Sequence, residues 1–376
     1  MLARRNPDHR VVSAPTEICV EIVDASQLCG EIAARWTEIR QQNSQLASPY
    51  FDVEFTKAVA QVRDDVEIAI VKNSDEKIVG LVPYQRTGLN HAEPVGGRLN
   101  DVHGMVANSD ADQLDILTKV MHAAELRSFG FHAALKNDPK LERFEFCELD
   151  SHYVDIRNGW DDYQQWSRSK TKVLRRQGQK TRALEREIGP IRFEFDCSDD
   201  ECLEKLIELK RAKYQRSNTF DILSVNWASN LIREISNVDK PDFKGLLSSL
   251  YAGDQLVAAH FGMLTNDILH YWFPVFDPRF AKYSPGTELL IRVMQESCLR
   301  KIAKIDLGYG DDAYKHKFCN GRESVSCGKV VFNRMSFGLA KQQYEIRQRL
   351  KGIPMKPLAK SMLRGMFPGF GKWNFR

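Results

Sequence analysis

The segment from Leu246 to Phe318 constrains the fold more than any other part of the chain. Its residues alternate between two apolar strand patterns around the turn Gly253-Asp254, then a third strand pattern, a loop, an apolar helix pattern and a last strand pattern. Apolar strands joined by turn residues predict a β-hairpin, and a helix placed between two strands predicts an α/β unit. We expect the helix over Thr287–Lys301 and the strand that follows it over Ile305–Leu307.

A similar order of elements occurs in the first half of the chain. A hairpin is predicted over residues 66–84, followed by an apolar helix pattern that Ser109 or Asp110 can cap, and by a strand over Arg143–Leu149. Between the halves, the capping-box pattern Ser198–Glu201 predicts the start of another helix. The chain is therefore predicted to fold as a mixed α/β protein with two related units.

The charge is distributed unevenly along the chain. Net charge is +4 over 376 residues, but the part after residue 330 carries ten lysines or arginines against one acid. We predict a flexible N-terminus (1–15), a first unit (16–160), a second unit (161–334) and a basic amphipathic tail (335–376). A second basic block extends from Arg168 to Arg186, where a solvated helix face is expected.

Several protein classes do not fit the sequence. It contains no run of 18 apolar residues for a membrane-spanning helix, and its basic start is not followed by the apolar segment of a signal peptide. The eight cysteines form no C-x-x-C pair, so reduced thiols are expected and a structural zinc site is not. These features predict a cytoplasmic protein without a bound metal.

The loop Tyr283-Ser284-Pro285-Gly286-Thr287 precedes the predicted helix of the second half. Small residues at a helix start leave backbone N–H groups free, and the helix dipole favours negative charge there. The loop is therefore a candidate phosphate-binding site, although a Pro-containing helix start with a capping Ser or Thr also has this composition. We take Tyr283, Ser284, Gly286 and Thr287 as candidate carrier-binding residues.

Three segments together resemble a known family. They are the run from Tyr271 to Gly286, the run Ile305–Asp311 with Tyr314-Lys315, and Val95–Asp101 in the first half. The chain resembles the GNAT acyltransferase superfamily, and within it the CelD/BcsL-like group, over roughly residues 45–330. The resemblance implies tandem GNAT-like domains that transfer an acyl group, typically acetyl, from acyl-coenzyme A to an amine or hydroxyl. It associates the group with cellulose and other exopolysaccharide production in bacteria.

The phosphate loop departs from the pattern of that superfamily. When Gly286 is placed at the last glycine, Ser284 stands at the first glycine and Ala281 at the basic position, with Lys282 one step further. Proline has no N–H to donate, so Pro285 makes the cradle poorer. The poor cradle favours an alternative to acyl transfer, in which the protein is a non-catalytic component of a polysaccharide-synthesis complex at the membrane. A further alternative is a transferase like the Fem-type enzymes, which share the tandem plan and use aminoacyl-tRNA.

Candidate catalytic residues lie near the last strand of the second unit. Ligands gather at the carboxyl ends of strands in α/β sheets, where Asp306 can orient an acceptor or accept its proton and Lys315 can neutralise an oxyanion. Tyr314 precedes Lys315 in the family pattern. His260 and His270, on adjacent predicted strands, are each a possible general base, with His260 closer to the family pattern; a core histidine bonded to backbone is the other interpretation.

The remaining expectations concern the acceptor and partners. Asn100, Asp101 and His103, in a Gly-rich loop of the first unit, are predicted to face the second unit and bind the acceptor together with His270; turn formation is the alternative. The acceptor is expected to be a sugar or an envelope glycan precursor. The tail mixes basic and bulky apolar residues, which suits an anionic membrane surface or packing on protein. Nucleic acid is not expected, because no groove with stacking positions is visible.

Overall fold

The computed structural model describes residues 18–351, so the predicted flexible N-terminus and residues 352–376 lie outside the described part. The strands are β1 Cys19–Asp24, β2 Val66–Lys72, β3 Ile78–Gly88, β4 His91–Pro94, β5 Val106–Ala107, β6 Ser128–Leu135, β7 Glu145–Asp155, β8 Ile191–Glu194, β9 Asp239–Lys240, β10 Phe243–Ala252, β11 Gln255–Leu264, β12 Ile268–Phe276, β13 Lys304–Tyr309 and β14 Gly321–Val330. The helices are α1 Gly30–Gln42, α2 Val53–Val62, α3 Gln113–Ala123, α4 Trp160–Lys170, α5 Val173–Glu187, α6 Asp200–Arg216, α7 Asn226–Ser236, α8 Pro285–Leu299, α9 Lys315–Phe318 and α10 Arg334–Lys351.

All of these strands belong to one mixed sheet. Its order is β1-β2-β3-β4-β6-β14-β7-β13-β12-β11-β10-β8, with β5 beside β3 and β9 beside β10. Two neighbouring pairs are parallel, β4–β6 and β12–β13, and the other pairs are antiparallel. Helices cover both faces of the sheet, which explains why strands such as β2 and β10 are apolar along most of their length.

The two halves of the chain exchange their closing strands. β7 ends the first half but pairs with β13 of the second, while β14 ends the second half and pairs with β6 of the first. β7 and β14 also pair with each other, from Gly321↔Tyr153 to Gly328↔Glu145. The sheet is therefore continuous, and the mixed α/β fold with two related halves is confirmed. The predicted boundary near residue 160 falls between β7 and α4 and stays a prediction.

The predicted hairpins are confirmed as β2–β3 and β10–β11. The predicted cap of the first-half helix was wrong: residues 108–111 form a turn, and Asp112 caps α3 by accepting the N–H of Asp115 at 3.1 Å. The middle helix is confirmed, but its cap is not the predicted one: Asp199 in place of Ser198 caps α6, since its side chain accepts the N–H of Glu201 at 2.9 Å. The helix predicted from Thr287 begins two residues earlier, at Pro285, because proline suits the first helical position.

The described part of the predicted tail is helical. α10 extends over 18 residues. Phe337 packs on Phe144 and Phe146, whereas Met335 and Leu339 are 78% and 60% exposed. None of the helices in residues 18–351 has the length and apolar character that crossing a bilayer requires.

Candidate active site

The parallel strands β12 and β13 separate part-way along their length. They pair at Ile268↔Lys304, Leu269↔Ile305 and His270↔Asp306. Beyond that point β12 continues to Phe276 without pairing to β13. The two strands therefore form a fork that opens towards their carboxyl ends, which is the usual place for a ligand in an open α/β sheet.

The fork leads into a cleft of about 580 Å³, a volume typical of small-molecule sites. Its wall combines the outer part of β12, the start of α8, the residues after β13 and the end of α6. The residues that line it include Tyr271, Pro274, Ser284, Gly286, Thr287 and Tyr314, with Lys213 and Arg216 at the rim. The mixture of apolar walls and cationic rim suits a ligand with an apolar chain and phosphates.

The predicted carrier loop lies on this cleft with one exception. Ser284, Gly286 and Thr287 line it. Tyr283 does not line it, because its hydroxyl donates to Glu187 at 2.5 Å and its side chain packs in the core beneath the loop.

Ser284 has the left-handed conformation, with φ 54° and ψ 53°. Its carbonyl accepts the N–H groups of Thr287 at 3.0 Å and of Glu288 at 3.3 Å. Because Pro285 has no N–H, Gly286 alone in the first helical turn of α8 keeps a backbone donor without a backbone acceptor in the described residues. The cradle is thus as poor in N–H donors as the sequence predicted.

Cationic side chains supplement the cradle. Lys180, on the solvated face of α5, donates from Nζ to Ser284 Oγ at 2.7 Å. Lys282 is paired with Glu187 at 2.8 Å on the outer side of the loop. Together with Lys213 and Arg216 at the rim, Lys180 places positive charge where an anionic ligand would meet the helix start.

A buried charged cluster lies at the base of the fork. His270 Nδ1 is 3.1 Å from Asp306 Oδ2, and His270 Nε2 is 3.3 Å from Asp101 Oδ2 and 3.0 Å from Tyr50 Oη. Tyr50 donates its own proton to the carbonyl of Leu99 at 2.9 Å, so its oxygen accepts from the imidazole. Both ring nitrogens of His270 therefore have acceptors, and an imidazolium satisfies them.

The electrostatics of the cluster agree with that protonation state. Burial lowers the pKa of His270, but the carboxylates of Asp306 and Asp101 outweigh it and raise the pKa to about 9. Burial raises the pKa of Asp306, but the charge of His270 outweighs it and holds the pKa below its usual value. Asp306 is also fixed by the N–H of Gly308, which donates at 2.9 Å. His270 is therefore a fixed cation and not a free base.

Of the predicted acceptor residues in the first half, Asp101 is the one that contacts the second half's charged cluster. Asn100 is buried and holds its own loop, with Nδ2 donating to the carbonyl of Val95 at 3.0 Å. His103 is buried as well, and its Nε2 accepts the N–H of His132 at 3.1 Å. Asn100 and His103 thus make the turn and core contacts that were the alternative interpretation, while Asp101 reaches His270.

His260 lies behind the cleft. It is fully buried, stacks on Tyr271 with ring centroids 3.9 Å apart, and neither ring nitrogen has a hydrogen-bond partner in the described part of the chain. Burial lowers its pKa well below the usual value, so the ring is neutral. The structure does not place His260 against the cleft, and a direct contact with a substrate would require Tyr271 to move.

Lys315 and Tyr314 have different surroundings. Lys315 is 4% exposed, and its Nζ donates to the carbonyls of Gly308 at 3.1 Å and Tyr309 at 2.7 Å. It therefore stabilises the end of β13 and is not the solvated lysine that was its alternative interpretation. Tyr314 lines the cleft directly.

The candidates from the sequence did not include the rim cations Lys213 and Arg216, nor two tyrosines of this site, Tyr271 and Tyr50. Tyr271 lines the cleft, and its buried hydroxyl has no partner among residues 18–351. Burial raises its pKa well above the usual value, so it is a neutral hydrogen-bond donor. Tyr50 enters from the first half through the short turn before α2, and no local pattern distinguished it.

Comparisons with known proteins agree with this geometry. Residues 168–316 match the family model of the acetyltransferase (GNAT) domain. That range contains α5, α6, the fork and the start of α9, so the matched residues include most of the cleft lining. A sequence comparison with curated proteins gave no match.

Solved structures share the fold over most of the chain. FemX aligns with a TM-score of 0.57 and 11% identity, over 83% of this chain and 99% of FemX. L-PGS from Bacillus licheniformis aligns at 0.52 and 12% identity, over 84% and 96%. A conserved protein of unknown function from Bacteroides thetaiotaomicron aligns at 0.51 and 14% identity, over 79% and 97%. These structures therefore share the fold of this chain over about four fifths of its length.

Proposed function

We propose that this protein is a GNAT-type acyltransferase that moves an acyl group, typically acetyl, from acyl-coenzyme A to an amine or hydroxyl of a sugar or envelope glycan precursor. The observation that carries the proposal is the fork between β12 and β13, which opens beside the start of α8 into a cleft of about 580 Å³. The acceptor class follows from the resemblance to the CelD/BcsL-like group and is part of the proposal.

The donor is assigned to the cleft. Its phosphates meet the N–H of Gly286 and the cations of Lys180 and Arg216, and its apolar arm lies along β12. The neutral hydroxyl of Tyr271 donates to the donor near the acyl carbonyl. The acceptor attacks that carbonyl directly, and Asp101 orients it from the first half's side of the fork.

A Fem-like transferase with an aminoacyl-tRNA donor is the second candidate. One observation favours it: the first turn of α8 offers a single free N–H in the described residues, which is a weak cradle for a pyrophosphate. Lys180, Lys213 and Arg216 suit a nucleic-acid backbone as well as coenzyme A. The same fork then holds the aminoacyl ester in place of a thioester.

A non-catalytic membrane component is the third candidate. Met335 and Leu339 expose apolar surface on α10, next to a tail rich in lysine and arginine. Such a surface suits peripheral binding at the inner face of an anionic membrane. Peripheral attachment is also compatible with catalysis, since a lipid-linked sugar would be an acceptor at that surface.

Calorimetry of the full chain separates these candidates. Acetyl-coenzyme A is expected to release heat in the wild type and in Lys205→Met, an exposed position on α6, but to bind at least about tenfold more weakly in Arg216→Met, because a phosphate contact is lost. Retention of aminoacyl-tRNA without any heat from acetyl-coenzyme A at millimolar concentration would favour the Fem-like candidate. Binding of neither donor would leave the non-catalytic role.

A further inference from the structure

Lys210 is a buried lysine whose position the mechanism above does not use. It lies on the apolar face of α6 and is 7% exposed. Its Nζ donates to the carbonyl of Pro274 at 3.2 Å and lies 5.4 Å from the ring centroid of Phe273 and 5.7 Å from that of Tyr214. It has no ion pair within the part of the chain that the structure describes. A buried ammonium with one hydrogen bond and no carboxylate partner is costly, so the neutral amine is favoured.

The charges around Lys210 leave that preference in place. The pKa of Lys210 is lowered to about 7. Burial is the main cause, and the positive charges of Lys213 on the same helix and of Lys315 after β13 act in the same direction. Asp312 and Asp101 oppose the shift without cancelling it.

The other titratable neighbours do not supply a proton. Tyr214 is neutral, because burial raises its pKa above the usual value. His260 on β11 is neutral as well, since burial lowers its pKa well below the usual value. Lys210 is thus the buried group here that exchanges a proton near neutral pH.

Lys210 also stands beside the reacting end of the cleft. Pro274, which accepts its hydrogen bond, lines the cleft on the part of β12 that lies beyond the last pair of the fork, His270↔Asp306. Lys213, one turn further along α6, lines the rim. Nζ itself does not line the cleft but lies directly behind its wall, 3.2 Å from the carbonyl of Pro274, on the side where the acyl carbonyl and the acceptor meet in the proposed mechanism.

We propose that the neutral amine of Lys210 accepts the proton of the acceptor during acyl transfer. The acceptor's nitrogen or oxygen bonds to the acyl carbon, and the bond from that carbon to the leaving sulfur breaks with its electron pair. The proton of the acceptor moves to Nζ, which becomes an ammonium, and then passes to the leaving thiolate. With an aminoacyl ester the leaving atom is oxygen and the proton path is unchanged. The inference rests on the proposed function and adds its proton acceptor.

The first experiment compares rates of transfer across pH. In the wild type, kcat/KM is expected to rise with pH and level off above about 7. Lys210→Met is expected to lose about a hundredfold or more in kcat/KM, to lose the inflection near pH 7, and to keep the wild-type affinity for the donor in calorimetry. Lys205→Met, on the exposed side of the same helix, is the matched control and keeps the wild-type profile. Lys210→Arg is expected to lose activity too, since a guanidinium stays protonated.

A second measurement is independent of any donor. Reductive methylation of the full chain with ¹³C-formaldehyde gives one NMR signal per lysine, and the signal absent in Lys210→Met is expected to titrate near pH 7. Titration above pH 9, or normal donor binding with an unchanged pH profile in Lys210→Met, would overturn the inference. Failure of the proposed function would give a different result, in which no donor binds although Lys210 still titrates near pH 7. That result would overturn the role of Lys210 in acyl transfer as well.

Discussion

The two parallel strand pairs of the sheet occur in the same order of elements, but they differ in the residues at the point where the strands separate and in the space beside them. β4–β6 in the first half and β12–β13 in the second each follow a hairpin and are connected through a helix, α3 or α8. In each pair the second strand bulges at a left-handed residue, Ala133 with φ 53° and Gly308 with φ 71°. The backbone plan is therefore repeated down to a local irregularity.

Both strand pairs separate into a fork, and the two forks differ in the charge of their last paired residues and in the volume of the cavity beside them. The last pair before the first fork opens is Ala92↔Phe129, and a cavity of about 80 Å³ lies there. The last pair before the second is His270↔Asp306, at a cleft of about 580 Å³. The comparison teaches that the fold supplies the fork, while the residues that fill or charge it decide whether a ligand has room.

The connecting segments explain the difference in space. Residues 95–112 link β4 to α3, and they include the buried strand β5 and Met105, which lines the small cavity. Residues 277–284 link β12 to α8 by a short helical turn and leave the second fork open. The longer connection also carries Asp101 across to His270, so the first half serves the site in the second.

The largest expected effect comes from breaking the charged pair of the second fork. Asp306→Ala leaves a buried imidazolium short of one carboxylate, and we expect the free energy of unfolding to fall by about 3–5 kcal/mol in urea denaturation. The matched change in the first fork is Ser128→Ala, which removes a neutral hydrogen bond of 2.8 Å to His91. There we expect a loss of about 1 kcal/mol. Similar losses in both variants would contradict the contrast between the forks.

The pH dependence of stability tests the charge on His270. Its folded pKa of about 9 lies above the ordinary value near 6.5, so its stabilising contribution is complete below pH 6.5 and is lost as the pH rises through about 9. The difference in unfolding free energy between the wild type and His270→Gln is therefore expected to shrink by about 3 kcal/mol between pH 6 and pH 10. Lys210 titrates in both proteins, so its contribution to the pH dependence cancels from the difference between them.

His91→Gln is the control for that measurement in the first fork. Burial lowers the pKa of His91 below the usual value. The difference in unfolding free energy between the wild type and His91→Gln is therefore expected to stay constant above pH 6.5. A His270→Gln difference that stays constant with pH would show that His270 is neutral.

A smaller effect is expected from filling the open fork. Thr287→Trp places a large ring in the cleft, and we expect donor affinity to fall at least about tenfold, equivalent to about 1.4 kcal/mol, in calorimetry. Thr118→Trp, at an exposed position on α3 in the first half, is expected to leave donor binding unchanged. Equal binding by Thr287→Trp and the wild type would place the donor elsewhere.

The predictable parts of the fold were those determined locally. Turn residues and apolar alternation identified both hairpins, and the capping-box pattern Ser198–Glu201 located the start of α6 to within one residue. The exchange of β7 and β14 was not predictable, because the pairing joins strands far apart in the chain and no local pattern specifies the partner of either strand. The start of α3 was misplaced because several adjacent residues are good caps, and contacts decided among them.

For the site, the sequence indicated the loop from Ser284 to Thr287 and the strand with Asp306. It did not indicate Tyr50, whose role depends on a contact with a residue 220 positions away. Lys210 did leave a signal, since a lysine on the apolar face of a helix is unusual. Its distance from any carboxylate, which determines its protonation, required the structure.

The smallest expected effect concerns the one residue of the open fork that departs from the family's glycine pattern. Ser284 is held in a left-handed conformation that costs a non-glycine residue about 1–2 kcal/mol. Ser284→Gly relieves that cost but adds freedom to the unfolded chain, so we expect a net gain of roughly 0.5 kcal/mol in thermal or urea unfolding. Ala133→Gly in the first fork loses a buried methyl as well and is expected to gain nothing. If Ser284→Gly also binds the donor as well as the wild type does, the hydroxyl contact with Lys180 is dispensable, and the two forks differ in function through space and charge alone.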